Sequence, residues 1–260
     1  MNRRSLVFNL IFSFAGGLLV LFVVLPLVST LLSTTPLDFL RSFSDPELLS
    51  SFGVTFGAAA IATALALTTG VPLAYLLARR RFHGKRLLEA VVNLPVVIPH
   101  TAAGVALLLV FGRRGLLGQA FATLGITFTD NLAGIVVAML FVSLPFLVNL
   151  SREAFALTDE ELERVAMTDG AGPWQAFWYV TLPQAWRGVL GGAVMMWARG
   201  ISEFGAVVIL AYHPKIVPVL VYERYEGFGL KAAEPVALIL ILVALVVFIL
   251  LRLALLPEKE

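Results

Sequence analysis

The sequence contains no cysteine, which excludes disulfide bonds, thiolate metal sites and a cysteine nucleophile. Its three histidines, His83, His100 and His213, lie far apart and lack the spacing of metal ligands. The phosphate-binding pattern G-x-x-x-x-G-K-[ST] is missing, and no Ser-His-Asp set or pair of catalytic carboxylates stands out. These absences predict that the chain holds no metal or cofactor and does not hydrolyse ATP itself.

Charged residues are also scarce, at 14% of the 260 residues, whereas about 25% is usual in a soluble domain. Hydrophobic residues reach 59%, and the mean hydropathy is +0.92. Crossing the hydrocarbon core of a bilayer takes about 20 apolar residues, and backbone groups in lipid must bond internally, as they do in helices. The sequence therefore predicts an all-α membrane protein with six transmembrane helices. They are Leu6–Leu32, Phe52–Leu77, Leu87–Phe111, Leu132–Leu150, Val189–Tyr212 and Pro235–Leu251.

The first of these segments follows a basic N-terminus, as the core of a signal peptide does. Its uncharged run extends from Ser5 to Leu37, well beyond the roughly 7–15 apolar residues of a signal core. We therefore expect a retained span. On this basis residues 1–51 form the first transmembrane helix and an outer loop, and residues 52–256 form the transmembrane domain proper.

Lysines and arginines are distributed unevenly between the loops. Twelve of the 19 fall on the side that holds both termini, six fall on the other side, and Arg199 lies within a span. Because cytoplasmic loops are enriched in basic residues, this bias predicts that both termini lie in the cytoplasm. The run RRRFHGKR at 79–86 contributes most; a nucleic-acid patch is its alternative reading, but the run directly follows the end of a span.

Residues 152–187 form the longest predicted cytoplasmic segment, and it is rich in acids and turn residues. Thr158 and Glu161 have the spacing of a capping box, so we expect a helix to begin there. Gly170 is expected to end this helix in a left-handed turn, and Pro173 to begin a second short helix. An interfacial helix on lipid headgroups is an alternative, but acidic groups are repelled by the anionic inner leaflet. The segment is therefore predicted to bind a protein.

The same segment resembles the signature of ABC importer permeases, which is Glu-Ala-Ala, three residues, glycine, nine residues, an aliphatic residue, any residue and Leu-Pro. Here the frame is Arg164-Val165-Ala166, Gly170, Val180 and Leu182-Pro183. Arg164 replaces the usual glutamate, although Glu163 directly precedes it, and Val165 replaces an alanine. The first replacement puts in doubt any ion pair that the family assigns to the glutamate.

The resemblance implies that the segment is a coupling helix inserted into a cleft of an ATP-binding subunit. The residues implied in coupling are Glu163, Arg164, Val165, Ala166, Gly170, Ala171, Leu182 and Pro183.

Three further stretches are similar to permeases for tetrahedral oxyanions. They are residues 93–112, 197–212 and 214–225, and together they most resemble the molybdate/tungstate branch. Sulfate permeases share the style of the 197–212 stretch, so a sulfate/thiosulfate permease stays open. The resemblance implies the six-helix fold of type I ABC importer permeases, a second copy of the chain, two copies of an ATP-binding subunit and an extracytoplasmic oxyanion-binding protein.

Several polar residues lie within predicted spans, where ionisable groups are functional candidates. Arg199 and Glu203 are four residues apart and are expected on one helix face, either lining the path or only neutralising each other. His100 follows Pro95 and Pro99, which predict either a hinge or an ordinary kink. The candidates for a translocation path or gate are Arg199, Gly200, Glu203, Gly205, His100 and Thr101.

Two other functions were compared with the permease. An intramembrane lipid-modifying transferase would use Glu203 and His100 as acid and base, but the spans offer too few convergent polar groups. A carrier driven by an ion gradient would use Glu203 as its coupling site, but such carriers usually contain two related halves, and no inverted repeat is visible.

Overall fold

The computed structural model describes the backbone of residues 3–255 and the side chains of residues 7–249. Within these ranges the secondary structure is helical, and no strand occurs. In the first half the helices are α1 Arg3–Ser33, α2 Pro36–Ser42, α3 Pro46–Arg79, α4 Lys85–Val97, α5 His100–Phe111 and α6 Leu116–Ala122. In the second half they are α7 Leu132–Leu157, α8 Glu160–Thr168, α9 Pro173–Ala176, α10 Leu182–Ile201, α11 Gly205–Leu210, α12 Val217–Phe228 and α13 Leu230–Leu255.

Four of these helices are long and apolar enough to cross a membrane: α1 over Val7–Ser33, and α3, α7 and α13. A fifth span is possible if α4 and α5 are taken together, but the pair is bent by 114°. The predicted span Val189–Tyr212 is not one helix, because α10 ends at Ile201 and α11 begins only at Gly205. The structure thus confirms the prediction of helices that can cross a membrane, but it does not confirm the count of six.

The chain divides into two units, each with its own internal contacts. The first comprises residues 3–49 and Leu220–Val246. In it, Asp45 accepts hydrogen bonds from the backbone N–H groups of Glu47, at 2.9 Å, and Leu48, and so caps the start of α3. The carboxylate also binds the guanidinium of Arg224 on α12. This unit therefore joins the start of α3 to α12 by a charged contact.

The second unit comprises Ser50–Val219 with residues 247–255, and its centre is the contact between α7 and α10. The two helices approach closely at glycine: a Cβ atom placed on Gly192 would lie 3.1 Å from the carbonyl oxygen of Leu147. Leu147 and Phe155 on α7 and Met196 on α10 are fully buried. Small residues let transmembrane helices approach one another in this way.

Candidate functional site

The segment between α7 and α10 begins with α8, which is capped differently from the prediction. Asp159 is its N-cap, because the Asp159 side chain accepts the N–H of Glu161 at 2.8 Å. The predicted cap, Thr158, instead ends α7, and its hydroxyl oxygen accepts a hydrogen bond from Arg79. The capping box was therefore wrong by one residue, because a basic residue on a distant helix engages the threonine.

The turn after α8 is confirmed. Gly170 has φ +98°, a left-handed conformation that side-chain-bearing residues rarely adopt. The N–H of Ala171 then bonds to the carbonyl of Ala166 at 2.9 Å, which closes the turn. Pro173 begins α9 as expected, and α9 is a short helix, Pro173–Ala176. It continues through a π-helical turn, Phe177–Thr181, directly into α10, so that the segment is continuous with the membrane domain.

Helix α8 is attached to the membrane domain through Glu163. The side chain of Glu163 is only 13% exposed and accepts hydrogen bonds from the Tyr75 hydroxyl on α3 and, at 3.0 Å, from the Thr181 hydroxyl. The Nε atom of Arg79 lies 3.5 Å from the same carboxylate, and Arg79 also binds Glu160 at 3.2 Å. These contacts link α8 to the end of α3 and to the start of α10.

Unlike Glu163, Arg164 points toward solvent. Its side chain is 68% exposed and forms an ion pair with Glu160, at 3.0 Å on the same helix. Leu162 and Val165 are also exposed, so α8 presents an apolar surface flanked by acids. The inward-facing carboxylate comes from Glu163, the residue that precedes the substituted position of the signature. Of the remaining coupling residues, Pro183 is exposed and Leu182 half-buried at the start of α10.

The second part of the site lies where two broken helices meet. Helices α4 and α5 are separated at Ile98 and Pro99, and α10 and α11 at residues 202–204. The halves α5 and α11 pack closely, since a Cβ atom on Gly205 would lie 2.8 Å from the Cβ of His100. At Gly104 an added Cβ would lie 2.8 Å from the Cβ of Ile209. The break at Ile98 and Pro99 is a sharp bend of 114° rather than an ordinary kink, whereas Pro95 lies within α4.

Glu203 occupies the break after α10 and is fully buried. Its Oε2 atom lies 2.9 Å from a guanidinium nitrogen of Arg199 and 3.2 Å from Nδ1 of His100. Its Oε1 atom accepts the N–H of Ala206 at 2.9 Å. Arg199 and Glu203 do not share one helix, because α10 ends before Glu203, yet their side chains form an ion pair, which both hypotheses allow. The tertiary fold brings His100, one of the path candidates named from the sequence, against this pair.

The other path candidates lie around this cluster with different surroundings. Gly200 is buried, and a Cβ atom there would lie 3.4 Å from that of Ala59 on α3. Thr101 is exposed and makes no side-chain hydrogen bond to a described residue. In the part of the chain that the structure describes, no group of three His, Cys, Asp or Glu residues could hold a metal ion.

The arrangement of bent and broken helices beside a polar segment outside the spans is a fold shared with subunits of solved ABC transporters. A subunit of a bacterial alginate ABC transporter, solved with an alginate-bound periplasmic protein, superposes with a TM-score of 0.76 over 96% of this chain and 93% of that one, at 15% identity. A subunit of the MetNI methionine ABC transporter has a TM-score of 0.65 over 80% and 94%, at 17% identity. These likenesses show the fold.

The chain belongs to the family of binding-protein-dependent transport system inner membrane components, which it matches over residues 70–256. It is 42% identical to the "Molybdate/tungstate transport system permease protein WtpB" of Pyrococcus furiosus, over 97% of this chain and 96% of that protein. It is 34% identical to the "Probable sulfate transport system permease protein cysT" of Zygnema circumcarinatum, over 97% and 90%. The chain is thus a multi-pass membrane permease subunit and not itself an enzyme.

Proposed function

We propose that the chain is the permease subunit of an ATP-driven importer of molybdate or tungstate. The observation that carries the proposal is the 42% identity to the molybdate/tungstate permease of Pyrococcus furiosus across almost the full length of both chains. The sulfate permease of Zygnema circumcarinatum is also similar over nearly the whole chain, at 34%, so sulfate is the second candidate substrate. Both ions are tetrahedral dianions, which one path can accommodate.

In this proposal, energy enters through the segment 152–187. Helix α8 carries three acids in its first turn and exposes Leu162 and Val165, a surface suited to a cleft of an ATP-binding subunit. Because Glu163 ties α8 to α3 and to Thr181, a displacement of α8 is passed on to the membrane helices. The coupling residues proposed from the sequence lie within this segment and at the start of α10.

The cluster at the broken helices is the proposed gate. Arg199 is 21% exposed, so its guanidinium is accessible to a passing anion, while Glu203 neutralises it and prevents tight trapping. His100 contacts this arginine, Gly200 follows it in the chain, and Gly205 packs against His100 and Thr101. Two copies of the chain enclose the path at a two-fold axis, with two ATP-binding subunits on the cytoplasmic side. Both termini lie in the cytoplasm, and an oxyanion-binding protein delivers the ion from outside.

The test is transport by the reconstituted assembly. The chain is purified with its ATP-binding subunit, placed in vesicles with the oxyanion-binding protein, and assayed for uptake of molybdate, tungstate and sulfate with and without ATP. The matched control carries an ATP-binding subunit that binds but does not hydrolyse ATP. We expect ATP-dependent uptake of molybdate and tungstate. Preferential uptake of sulfate would support the second candidate, and uptake driven by an ion gradient without ATP would overturn the proposal.

A further inference from the structure

An apolar groove with a volume of about 690 Å³ runs along the second half of α3. Its lining positions on α3 recur every four residues, so they form one stripe parallel to the helix axis. The facing wall comes from α9 and the π-helical turn, where Trp174, Phe177 and Trp178 line the groove. The α3 stripe consists of Leu67, Thr68, Val71, Pro72, Tyr75 and Leu76, followed by Arg80.

The dimensions of this groove fit one lipid acyl chain. Leu67 and Arg80 are thirteen residues apart, which corresponds to about 20 Å along a helix. Half of a hydrocarbon core of about 30 Å is about 15 Å, so the groove has the length of one membrane leaflet. Its volume also lies within the range of roughly 300–1,000 Å³ that is usual for small-molecule sites. Since α3 is long and apolar enough to span the membrane, the stripe runs in the direction of the lipid chains.

A cation stands at one end of the groove. Arg80 is exposed, and it forms no ion pair or side-chain hydrogen bond with a described residue. Its neighbour Arg79, by contrast, is held by Glu160 and Glu163. Arg80 also belongs to the basic run 79–86, which follows directly after the span. The groove therefore offers an apolar channel that ends at an exposed arginine, which forms no ion pair with a described residue.

We propose that this groove binds an anionic phospholipid, with one acyl chain along α3 and the phosphate at Arg80. Tryptophan is enriched at membrane interfaces, where its ring lies at the level of the headgroups, and Trp174 and Trp178 are 72% and 52% exposed. Because the facing wall leads from α8 into α10, the lipid lies against the segment that links the polar loop to the membrane helices. The site depends on membrane insertion and does not depend on which oxyanion is carried.

Native mass spectrometry of the full chain in detergent tests this site. The protein is incubated separately with dioleoylphosphatidylglycerol, dioleoylphosphatidylcholine and inorganic phosphate, and the bound fraction is measured. We expect phosphatidylglycerol to be retained in preference to phosphatidylcholine. Arg80→Gln should lower that retention by about fivefold, whereas Arg81→Gln, which changes a neighbouring charge outside the groove, should leave it unchanged. Leu76→Trp should fill the groove and displace both lipids, and Leu65→Trp, elsewhere on the same helix, should not.

Three results would overturn the proposal. Equal retention of the two lipids, or retention that is unaffected by Arg80→Gln, would show that the groove does not select an anionic headgroup. Phosphate binding with the same dependence on Arg80 would assign the site to a free anion. Loss of lipid on addition of the ATP-binding subunit, or on association of two copies, would assign the groove to a protein partner. The elution volume in size-exclusion chromatography and the unfolding midpoint identify misfolded variants. If Leu76→Trp does not fold, the test rests on Arg80→Gln, which changes an exposed side chain.

Discussion

Glu203 has no exposed surface, yet each of its carboxylate oxygens has a partner. One oxygen contacts Arg199 and His100, and the other accepts the N–H of Ala206. A buried carboxylate is tolerated only when its charge is compensated and its acceptors are used, and here both conditions are met by residues from α5, α10 and α11. Glu203 therefore joins the two broken helices in addition to neutralising Arg199.

Replacing Glu203 by glutamine is expected to destabilise the protein and to reduce uptake. Glu203→Gln keeps the shape of the side chain but leaves Arg199 without its counter-charge, and breaking a buried pair costs about 3–5 kcal/mol. We expect the lower end of this range, because the Arg199 side chain is 21% exposed. Thermal unfolding in detergent measures the effect. Ser202→Ala is the control, since exposed Ser202 contacts Arg199 at 3.3 Å without charge, and equal midpoints for the two variants would contradict the prediction.

We expect the stability of the first unit to depend on pH through the carboxyl group of Asp45, which lies outside the span of α3. Burial raises the pKa of Asp45, but the hydrogen bond and charge of Arg224 and the N–H groups of Glu47 and Leu48 lower it by more, so that the net shift is downward. A carboxyl whose pKa is lower in the folded state stabilises the protein above its unfolded pKa of about 3.9, and this stabilisation is lost as the pH falls through the folded value.

The variant Asp45→Asn should therefore be less stable than the parent protein at pH 7 and no less stable at strongly acidic pH. We expect a charge-dependent difference of about 1 kcal/mol, because the side chains of Arg224 and Asp45 are partly buried but remain 20% and 23% exposed, so that solvent screens the pair. Asparagine retains an oxygen that can accept the N–H of Glu47, so the cap of α3 is largely kept. Unfolding midpoints from pH 3 to pH 7 check this result. A constant difference between the two proteins across that range would exclude the ion pair as its cause.

At the scale of elements, the segment from α8 to α10 combines a rigid attachment with a sharp turn. Glu163 holds α8 against α3, and Gly170 reverses the chain toward α9. Because α9 continues through the π-helical turn into α10, the docking segment has no flexible linker on its C-terminal side. In the proposed coupling role, we therefore expect a partner that binds α8 to displace α10 and, with it, the break that holds Glu203.

Gly170→Val should weaken association with the ATP-binding subunit by about tenfold while membrane insertion stays normal. The reason lies in the backbone, because a side chain in the left-handed region costs roughly 1–2 kcal/mol, whereas no atom lies within 4 Å of an added Cβ. Gly191→Val is the matched control, since that helical glycine also faces open space but has no positive φ. Co-purification of the subunit measures association, and an unchanged yield would argue against docking at this segment.

Gly104→Val should separate α5 from α11. An added Cβ would lie 2.8 Å from the Cβ of Ile209 and 3.0 Å from the backbone of Ala206, and overpacking of this kind costs about 1–3 kcal/mol. We expect a lower unfolding midpoint together with reduced uptake. Gly57→Val on α3 serves as the control, because its added side chain meets nothing within 4 Å. If both variants unfold at the same temperature, the packing of the two broken helices does not limit stability.

At the scale of the whole molecule, one chain offers few helices with which to enclose a path for a dianion. In the part of the chain that the structure describes, four helices and one bent pair are long and apolar enough to cross a membrane. In the described side chains of α1, no residue over Val7–Ser33 is buried. A polar path must be shielded from lipid on all sides, because an unsatisfied polar group in hydrocarbon is costly. We therefore expect the path proposed at Arg199 to need helices from a second copy of the chain.

The purified assembly should contain two copies of this chain. Closed two-fold symmetry is the commonest arrangement of identical subunits, and it would supply the missing walls of the path. Native mass spectrometry of the complex with its ATP-binding subunit gives the stoichiometry directly, and the chain purified without that subunit serves as the comparison. A transport-competent assembly with a single copy would contradict the prediction and would place the whole path within one chain.

Much of the fold was predictable because its signals are local. Apolar runs identified the spans now formed by α1, α3, α7 and α13, since length and hydropathy alone decide whether a helix can cross a bilayer. The turn at Gly170 and the start of α9 at Pro173 were equally predictable, because backbone preference at each residue determines them. The signature frame, and with it the family, also follows from spacing along the chain.

Only the tertiary structure decided where an apolar segment breaks and which polar groups meet there. The run from Val189 to Tyr212 is apolar enough to read as one helix, but a break is possible wherever neighbours satisfy the freed backbone groups, as Glu203 does for the N–H of Ala206. In the same way, Arg79 engages Thr158 and leaves Asp159 to cap α8. Such partners come from distant parts of the chain, and the order of residues does not reveal them.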